Sequence, residues 1–586
     1  MKLLKLIPFI FLCTMLAAQN SGRPVQEAAV PGSDCTLTVK AERSYLLIPS
    51  AYRGSRSKMD VVVDGKSIFE YLQDVTLATG ETDYWIPVDI RDYKGKSVTL
   101  KLTNVAEGSP VPAGIRQSDT IDMDYDEHFR MVYHFTPYFG WNNDPNGLFY
   151  KDGLWHMSYQ HNPYSVSWGN MSWGHATSKD LIHWEHHRDI LTPDEIGAIF
   201  SGSAVVDHDN TAGFGKDAVV AIYTSDRNGE RQSIAWSNDD GYTYTKYDGN
   251  PVIPDHPESR NFRDPKVYWI GGQWVMVLSV NQVVEFYGSP DLKNWKLLSS
   301  FGEGIGSHLS VWECPDLRKF NWNGKEKWVL FVTIGRDPNG ANNTQYFIGD
   351  FDGERFTADP LPYPLWVDQG VNQYAGVTFA DAPDDRTVFI AWLTSSSFPG
   401  GAVPATKYFT GGMTLPHELS LKDNGQHLIL ASKPSPEVYA ARGGATELAL
   451  AGSGDKAVLP GWEKGAFELD LTFVPDANGT FGFTLSNGKG ERIVYTFHPE
   501  YGTLVTDRSE SGLQNFPANV ASPIVSRIPR RNEYKVELFF DRMVSEMFVG
   551  DGDAVVTNCV FPSEYFNTVE VFGSAAVKNA TLYEMK

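Results

Sequence analysis

Apolar and polar residues alternate along most of this chain with the period of two that puts alternate side chains on one face of a β-strand. From about residue 34 to 118, alternating runs at 59–63, 85–90 and 97–102 are separated by Asp64-Gly65 and Lys94-Gly95 turns, the pattern of a small β-sandwich. The stretch 107–115, with two prolines and two glycines, reads as its exit linker. From about 441 to 586 the alternation returns at 466–473, 480–485, 492–497, 534–540 and 568–572, predicting a C-terminal β-sandwich. Helix is scarce, with one short candidate at 435–441.

The middle of the chain, about 128 to 435, repeats. Ser178-Lys179-Asp180-Leu181 leads to Trp184, and Ser289-Pro290-Asp291-Leu292 leads to Trp295 with the same spacing. Ser237-Asn238-Asp239-Asp240-Gly241 and Asp350-Phe351-Asp352-Gly353 take the equivalent places, so the aspartates Asp180, Asp239, Asp291 and Asp352 lie 59, 52 and 61 residues apart. Propeller blades repeat at roughly 40–50 residues, and blades with insertions fit these intervals. Four outer hairpins and a diverged last one predict five blades. A second series, Asp144, Ser201, Asp264, Glu313 and Asp368, runs in step at intervals of 57, 63, 49 and 55. The innermost strand of each propeller blade lines the central channel, so these five residues are expected to converge on one funnel. The fold expected is therefore all-β: a small N-terminal β domain, a five-bladed β-propeller and a C-terminal β-sandwich.

Composition agrees and narrows the partners. The 586 residues include 16 Trp, 27 Tyr and 33 Phe with 53 Gly and 34 Pro, an aromatic, turn-rich balance suited to strands. Exposed Trp and Tyr faces also stack on sugar rings. A net charge of −22 repels phosphate backbones and anionic lipid, so nucleic acid is not an expected partner. Lys2 and Lys5, an apolar run over 6–16, then Ala17 and Ala18 have the order of a secretory signal peptide over 1–18, too short to span a bilayer. No later run is long and apolar enough to span one, so an exported periplasmic or extracellular protein without a membrane span is expected. Cys35, Cys314 and Cys559 remain after cleavage, an odd number too widely spaced for a disulfide framework. The ligand spacings of known metal sites are missing, so no metal is expected.

Three acidic segments have unusual neighbours. Asp144 lies in Trp141-Asn142-Asn143-Asp144-Pro145-Asn146-Gly147, Asp264 follows Arg263 and precedes Pro265, and Glu313 sits between Trp312 and Cys314. Two carboxyl groups facing each other across a scissile bond, one ionised and one protonated, are the working parts of glycoside hydrolysis. An apolar flank at Trp312 is expected to raise the pKa of Glu313, suiting it to act as general acid. Hydrogen bonds from turn amides are expected to keep Asp144 ionised as a nucleophile.

These segments, with Gln160-His161-Asn162-Pro163, Trp168-Gly169-Asn170-Met171-Ser172-Trp173-Gly174-His175, Phe200-Ser201-Gly202-Ser203 and Glu313-Cys314-Pro315-Asp316, closely resemble the signature set of glycoside hydrolase family 32. That is the family of invertases, inulinases, levanases and other β-fructofuranosidases. The resemblance spans about 128 to 586, and the first unit resembles an accessory β domain that precedes some bacterial fructan hydrolases. It implies that Asp144 attacks the anomeric carbon of a fructosyl unit, that Glu313 protonates the leaving oxygen and then activates water, and that Asp264 binds the 3- and 4-hydroxyls and stabilises the transition state. Double displacement of this kind retains configuration and places the two catalytic carboxyls roughly 5–5.5 Å apart. Asn143, Gln160, Trp168, Ser201 and Arg263 match positions that contact the terminal fructose. Trp141, Phe200, Cys314 and Trp392 are further candidates for its surroundings. No metal or organic cofactor is implied, and the implied partner is a fructan or fructo-oligosaccharide substrate.

The sequence departs from the family pattern at three places. Asn142 stands where Met is usual and is expected to alter the lining before the nucleophile. In Asp368-Gln369-Gly370-Val371-Asn372 a second carboxylate has become an amide, and near Met413-Thr414-Leu415-Pro416 the common arginines are Thr410 and His417. The expected activity is a retaining exo-hydrolase of levan and inulin, with sucrose as a further candidate substrate. The alternatives are an endo-acting levanase with an open cleft, a related propeller enzyme with an inverting mechanism, and a catalytically silent fructan-binding module.

Overall fold

The computed structural model describes residues 32–335, 343–393, 406–477, 479–513 and 522–586; the expected signal peptide lies outside the described residues. The N-terminal unit is organised by one 19-residue strand, Tyr45–Val63. Its first part pairs with Tyr84–Asp89, and its second with Ser97–Ala106, Lys66–Ser67 and Gln73–Leu77. Alternate residues of both parts, among them Leu46, Ile48, Met59 and Val61, share one core with Ile86, Val88 and Leu100. The stretch read as an exit linker is not one. Pro110 and Pro112 favour a helical turn at Val111–Gly114, Val111 is buried, and the chain returns to the sheet by pairing Arg116–Ser118 with Tyr45–Leu47.

Five four- or five-stranded sheets follow, antiparallel but for one late strand in the first, the blades of the propeller. Their inner strands are β1 (Gly140–Lys151), β2 (Ala198–Asp207), β3 (Phe262–Ile270), β4 (Trp312–Trp322) and β5 (Gln373–Thr378). Each packs on the next and β5 packs on β1, so the five close a ring. The strand Phe409–Thr410, which comes late in the chain, pairs in parallel with Gly140–Trp141 and fastens the end of the propeller to its beginning. The repeated aspartates cap the outer hairpins, as their spacing predicts. Asp180 Oδ1 accepts the His183 N–H at 2.8 Å, Asp291 Oδ1 that of Asn294 at 2.8 Å, and Asp352 Oδ1 that of Arg355 at 2.7 Å. Asp239 does the same for Thr243. A short side chain that takes up free turn amides is the physical reason for the repeat.

The last part of the chain forms two six-stranded sheets whose facing side chains, such as Phe467, Leu469, Phe483 and Tyr495, make one core. The short helix Pro436–Ala440 leads into them, where one was expected. The join between propeller and sandwich is polar and buried. His134 Nδ1 lies 2.9 Å from Asp541 Oδ2 and its Nε2 3.1 Å from Glu546 Oε2, while His417 Nε2 binds the other oxygen of Glu546. Asp368 belongs to this join and not to the funnel. Its carboxylate accepts from Thr557 Oγ1 at 2.6 Å and from the Gly370 N–H, so the second repeat series is broken at its last member. Asn372 Oδ1 caps the Cys559 N–H at 2.9 Å and Arg508 in the same join, which is where the carboxylate-to-amide departure falls.

Candidate active site

All five inner strands depart from regular pairing at the same level. The ladder to the neighbouring strand slips between Asn142 and Pro145, Ile199 and Gly202, Arg263 and Lys266, Glu313 and Asp316, and Tyr374 and Val377. Each slip inserts one extra residue, a β-bulge that re-aims the side chains around it. The sequence shows why the bulges form here. Pro145, Pro265 and Pro315 have no N–H to give the ladder. Gly202 and Gly376 sit where a Cβ would come within 2.0 Å of the Ile222 carbonyl oxygen and the Phe389 ring, respectively. Asp264, Cys314 and Ala375 hold φ of 67°, 45° and 54°, a left-handed conformation that costs non-glycine residues energy and recurs at functional sites.

The bulges bring the three acids together. Asp144 Oδ2 accepts from Ser201 Oγ at 2.6 Å and lies 3.5 Å from Cys314 Sγ, while Asn143 Nδ2 donates to Oδ1 at 3.2 Å. The donors to Asp144 are thus side chains and not the turn amides expected from the sequence. Enclosure pushes its pKa up, and the Ser201 hydrogen bond works against that rise. Asp264 Oδ2 accepts the Cys314 N–H at 2.8 Å. Burial raises its pKa as well; Arg263 opposes the rise, and the charges of Glu313 and Asp144 add to it. Burial and like charge thus both favour the protonated forms of Asp144 and Asp264.

Glu313 meets a cation and a phenol. Arg263 Nε donates to Oε1 at 3.0 Å, and the Tyr374 hydroxyl donates to Oε2. The flank expected at Trp312 is absent, because neighbouring residues on a strand point to opposite faces. The Trp312 indole is buried in the blade core and donates to the Ser307 carbonyl at 2.8 Å. Arg263 is held in turn by Glu230 Oε1 at 2.5 Å. Beneath, Asp316 accepts from Tyr268 at 2.7 Å and from Thr378 Oγ1 at 2.8 Å, and Lys266 lies 3.6 Å away, a floor that joins β3, β4 and the end of β5.

The other predicted residues fall around this centre in two groups. Trp168 is exposed with its ring 6.2 Å from half-buried Phe200, the neighbour of the Ser201 that bonds Asp144. Opposite, Trp141 lies 6.0 Å from Trp392, which is itself 6.0 Å from Tyr374, and the Trp141 indole donates to Asn143 Oδ1 at 2.8 Å. Gln160 is buried behind the wall, donating to the Ile199 carbonyl at 3.0 Å. Asn142 is fully buried against Gly411 and lines nothing, contrary to expectation. Tyr374 and Glu230 are functional candidates that sequence reading missed. The signal for Tyr374 was present, since it follows Glu313 by 61 residues and so takes the fifth place in the repeat that was given to Asp368.

Among the described residues, Asp144, Asp264 and Cys314 form the one acid, histidine or cysteine group whose donor atoms lie close enough to hold a cation. Their chemistry does not suit one. Burial and the neighbouring carboxylates push the Cys314 thiol far up, and a thiol must lose its proton to ligate. Cys35, Cys314 and Cys559 are all free. No helix among the described residues is long and apolar enough to cross a membrane.

The Glycosyl hydrolases family 32 N-terminal domain matches residues 134–432, and the Glycosyl hydrolases family 32 C terminal matches 437–584. Residues 32–133 match a domain of unknown function, DUF4980. The chain is 40% identical over 485 residues to a levanase of Bacillus subtilis, covering 79% of this chain and 71% of that protein. It is 38% identical over 470 residues to an extracellular exo-inulinase of Meyerozyma guilliermondii, covering 74% and 90%. Among solved structures, the exo-inulinase of Aspergillus awamori aligns with a TM-score of 0.72 and 32% identity over 79% of this chain and 99% of that one. The β-fructofuranosidase of Schwanniomyces occidentalis complexed with fructosyl-erythritol aligns at 0.71 and 30% over 80% and 99%. With the propeller, the sandwich and the three bulged acids in place, this chain belongs to glycoside hydrolase family 32 and is a glycoside hydrolase.

Proposed function

We propose that this protein removes terminal β-D-fructosyl units from levan, inulin and sucrose by a retaining double displacement. The observation that carries the reading is the convergence of Asp144, Asp264 and Glu313 at three bulges, with Arg263 on Glu313. In this reading Asp144 Oδ attacks the anomeric carbon while Glu313, positioned by Arg263 and Tyr374, gives its proton to the leaving oxygen. The fructosyl-enzyme is then attacked by a water that Glu313 deprotonates, and the Asp144 carboxylate leaves. Asp264 holds ring hydroxyls, an interaction that strengthens as charge develops on the ring. The Cys314 N–H fixes Asp264, and Ser201 and Asn143 fix Asp144, so neither acid reorganises during the reaction. Trp168 and Phe200 on one side and Trp141 and Trp392 on the other give the sugar its apolar walls. A silent binding module has no use for a strained centre in which all three acids and their orienting partners are kept.

We also place the protein outside the cytoplasm, a reading supported by the basic, apolar, small-residue order of 1–18 and by extracellular relatives. Incubation with levan, inulin and sucrose separately, with early products resolved by chromatography, tests the activity. Fructose alone from the first minutes establishes exo action, and the relative rates name the linkage. A ladder of oligosaccharides would establish an endo-acting enzyme instead. NMR of the first-formed anomer decides retention against inversion.

A further inference from the structure

The N-terminal unit is fastened to the loops that follow Gln160-His161-Asn162-Pro163 and precede Glu230. Its loop 68–72 joins Lys66–Ser67 to Gln73–Leu77, and the loop at three points and Asp74 at a fourth are fastened to the first two blades. The Phe69 ring lies edge-on to Tyr164 with centroids 5.8 Å apart, and Glu70 forms an ion pair with Lys246. The Asp74 N–H donates to Asn170 Oδ1, and Asn170 Nδ2 returns to the Asp74 carbonyl, both at 2.7 Å. The Arg227 guanidinium lies over the Tyr71 ring, 4.9 Å from its centroid. Two of these anchors lead back to the chemistry. Asn170 is two residues from Trp168. Arg227 is on the hairpin whose Glu230 holds Arg263 against Glu313.

On this loop Tyr71 and Leu72 remain 40% and 45% exposed, and Trp168, two residues from the Asn170 that holds Asp74, is 54% exposed. Phe69 is half-buried by its contact with Tyr164. Tyr71, with one face on Arg227, and Leu72 stay exposed, although the loop carrying them is pinned on both sides. Apolar side chains held out on a fixed loop beside a sugar site are a ready-made contact surface, because little conformational freedom is lost when something stacks on them. We infer that Tyr71 and Leu72 extend the binding site past the terminal-fructose pocket and take the second and later sugar units of a fructan chain. The C–H face of a sugar ring packs on the Tyr71 ring, which Arg227 holds from the other side, and Leu72 carries the chain onward. This rests on the fructosyl-hydrolase reading above and gives the N-terminal domain a part in substrate length selection.

The test compares kcat/KM for levan and inulin with that for sucrose in the full-length protein, wild type against Tyr71→Ala combined with Leu72→Ala. The ratio of polymer to disaccharide falls about tenfold, the size expected when roughly one buried apolar contact is lost. Tyr71→Phe, which keeps the ring, keeps the wild-type ratio. Both side chains are exposed, so the truncations leave the core intact, and thermal melting checks this. An unaltered ratio in the double variant overturns the inference, as does a Phe variant impaired as much as the Ala one. A wild-type protein that releases no fructose from any of the three substrates overturns the fructosyl-hydrolase reading instead.

Discussion

Ser201 Oγ donates to Asp144 and so opposes the burial that raises the pKa of this carboxylate. Removing the donor in Ser201→Ala raises that pKa further. An attack that needs ionised Asp144 is then lost at a higher pH, and the acidic limb of the kcat/KM profile moves to the alkaline side of the wild-type limb. An unmoved limb would contradict the assignment of Asp144 as nucleophile. Asp144→Asn is expected to lower turnover by about a thousandfold or more while fold and sugar affinity persist, since it removes the bond-forming group and little else. Glu313→Gln is expected to hurt substrates with poor leaving groups most and to spare activated aryl fructosides, because only the former need a proton on the departing oxygen. Equal loss on both would count against its role as acid. At this scale the sequence was informative about which acids converge and misleading about their surroundings. Which donor reaches Asp144, and which neighbours flank Glu313, depends on residues 50 to 61 positions away that only the ring of blades brings close.

The bulge is the element on which the site depends. Its proline and glycine markers are visible in the sequence, but the matching level of all five appears only when the strands are laid side by side. Gly202→Ala tests the device directly. The new Cβ would lie 2.0 Å from the Ile222 carbonyl oxygen, so β2 must move and carry Ser201 away from Asp144. The expected cost is about 1–3 kcal/mol of stability, typical of an overpacked interior position, read as a lower thermal midpoint together with a loss of turnover. The repeat aspartates were legible for the opposite reason. Each satisfies turn amides two to four residues away, so local sequence is enough to place Asp180 or Asp291 in its hairpin. Asp368 looked like a member of the inner series because spacing alone cannot tell a channel carboxylate from one that caps the Thr557 N–H and hydroxyl.

The whole molecule is joined through buried charge. Burial alone would lower the pKa of His134, but Asp541 and Glu546 outweigh it and raise the imidazole to about 9. Burial alone would raise Glu546, but His417 and His134 outweigh it and bring it to about 2. A histidine raised in the folded state contributes stability that is complete below its unfolded value near 6.5 and is lost as pH climbs toward 9. A depressed carboxylate contributes above its unfolded value near 4.5 and is lost as pH falls toward 2. Asp368, raised by burial to about 6, is least costly to the folded state when protonated and adds to the decline above pH 4. Thermal midpoints measured against pH are therefore expected to fall as pH rises from about 6.5 toward 9. His134→Gln should flatten the alkaline fall.

What the sequence determined by itself is what depends on local spacing. The period of two makes strands, the recurring aspartate builds outer hairpins, and Pro or Gly beside an acid marks the breaks in the inner strands. These are enough for an all-β chain with a five-bladed centre and for picking out three acids that the fold then brings together. The tertiary structure alone decided which partners those acids face, that Tyr374 and not Asp368 completes the ring, that Asn142 is buried, and that an N-terminal loop is fastened to the first two blades. Each of these depends on contacts between segments far apart in the chain, and side-chain direction, burial and charge at such contacts are set by closure of the whole fold.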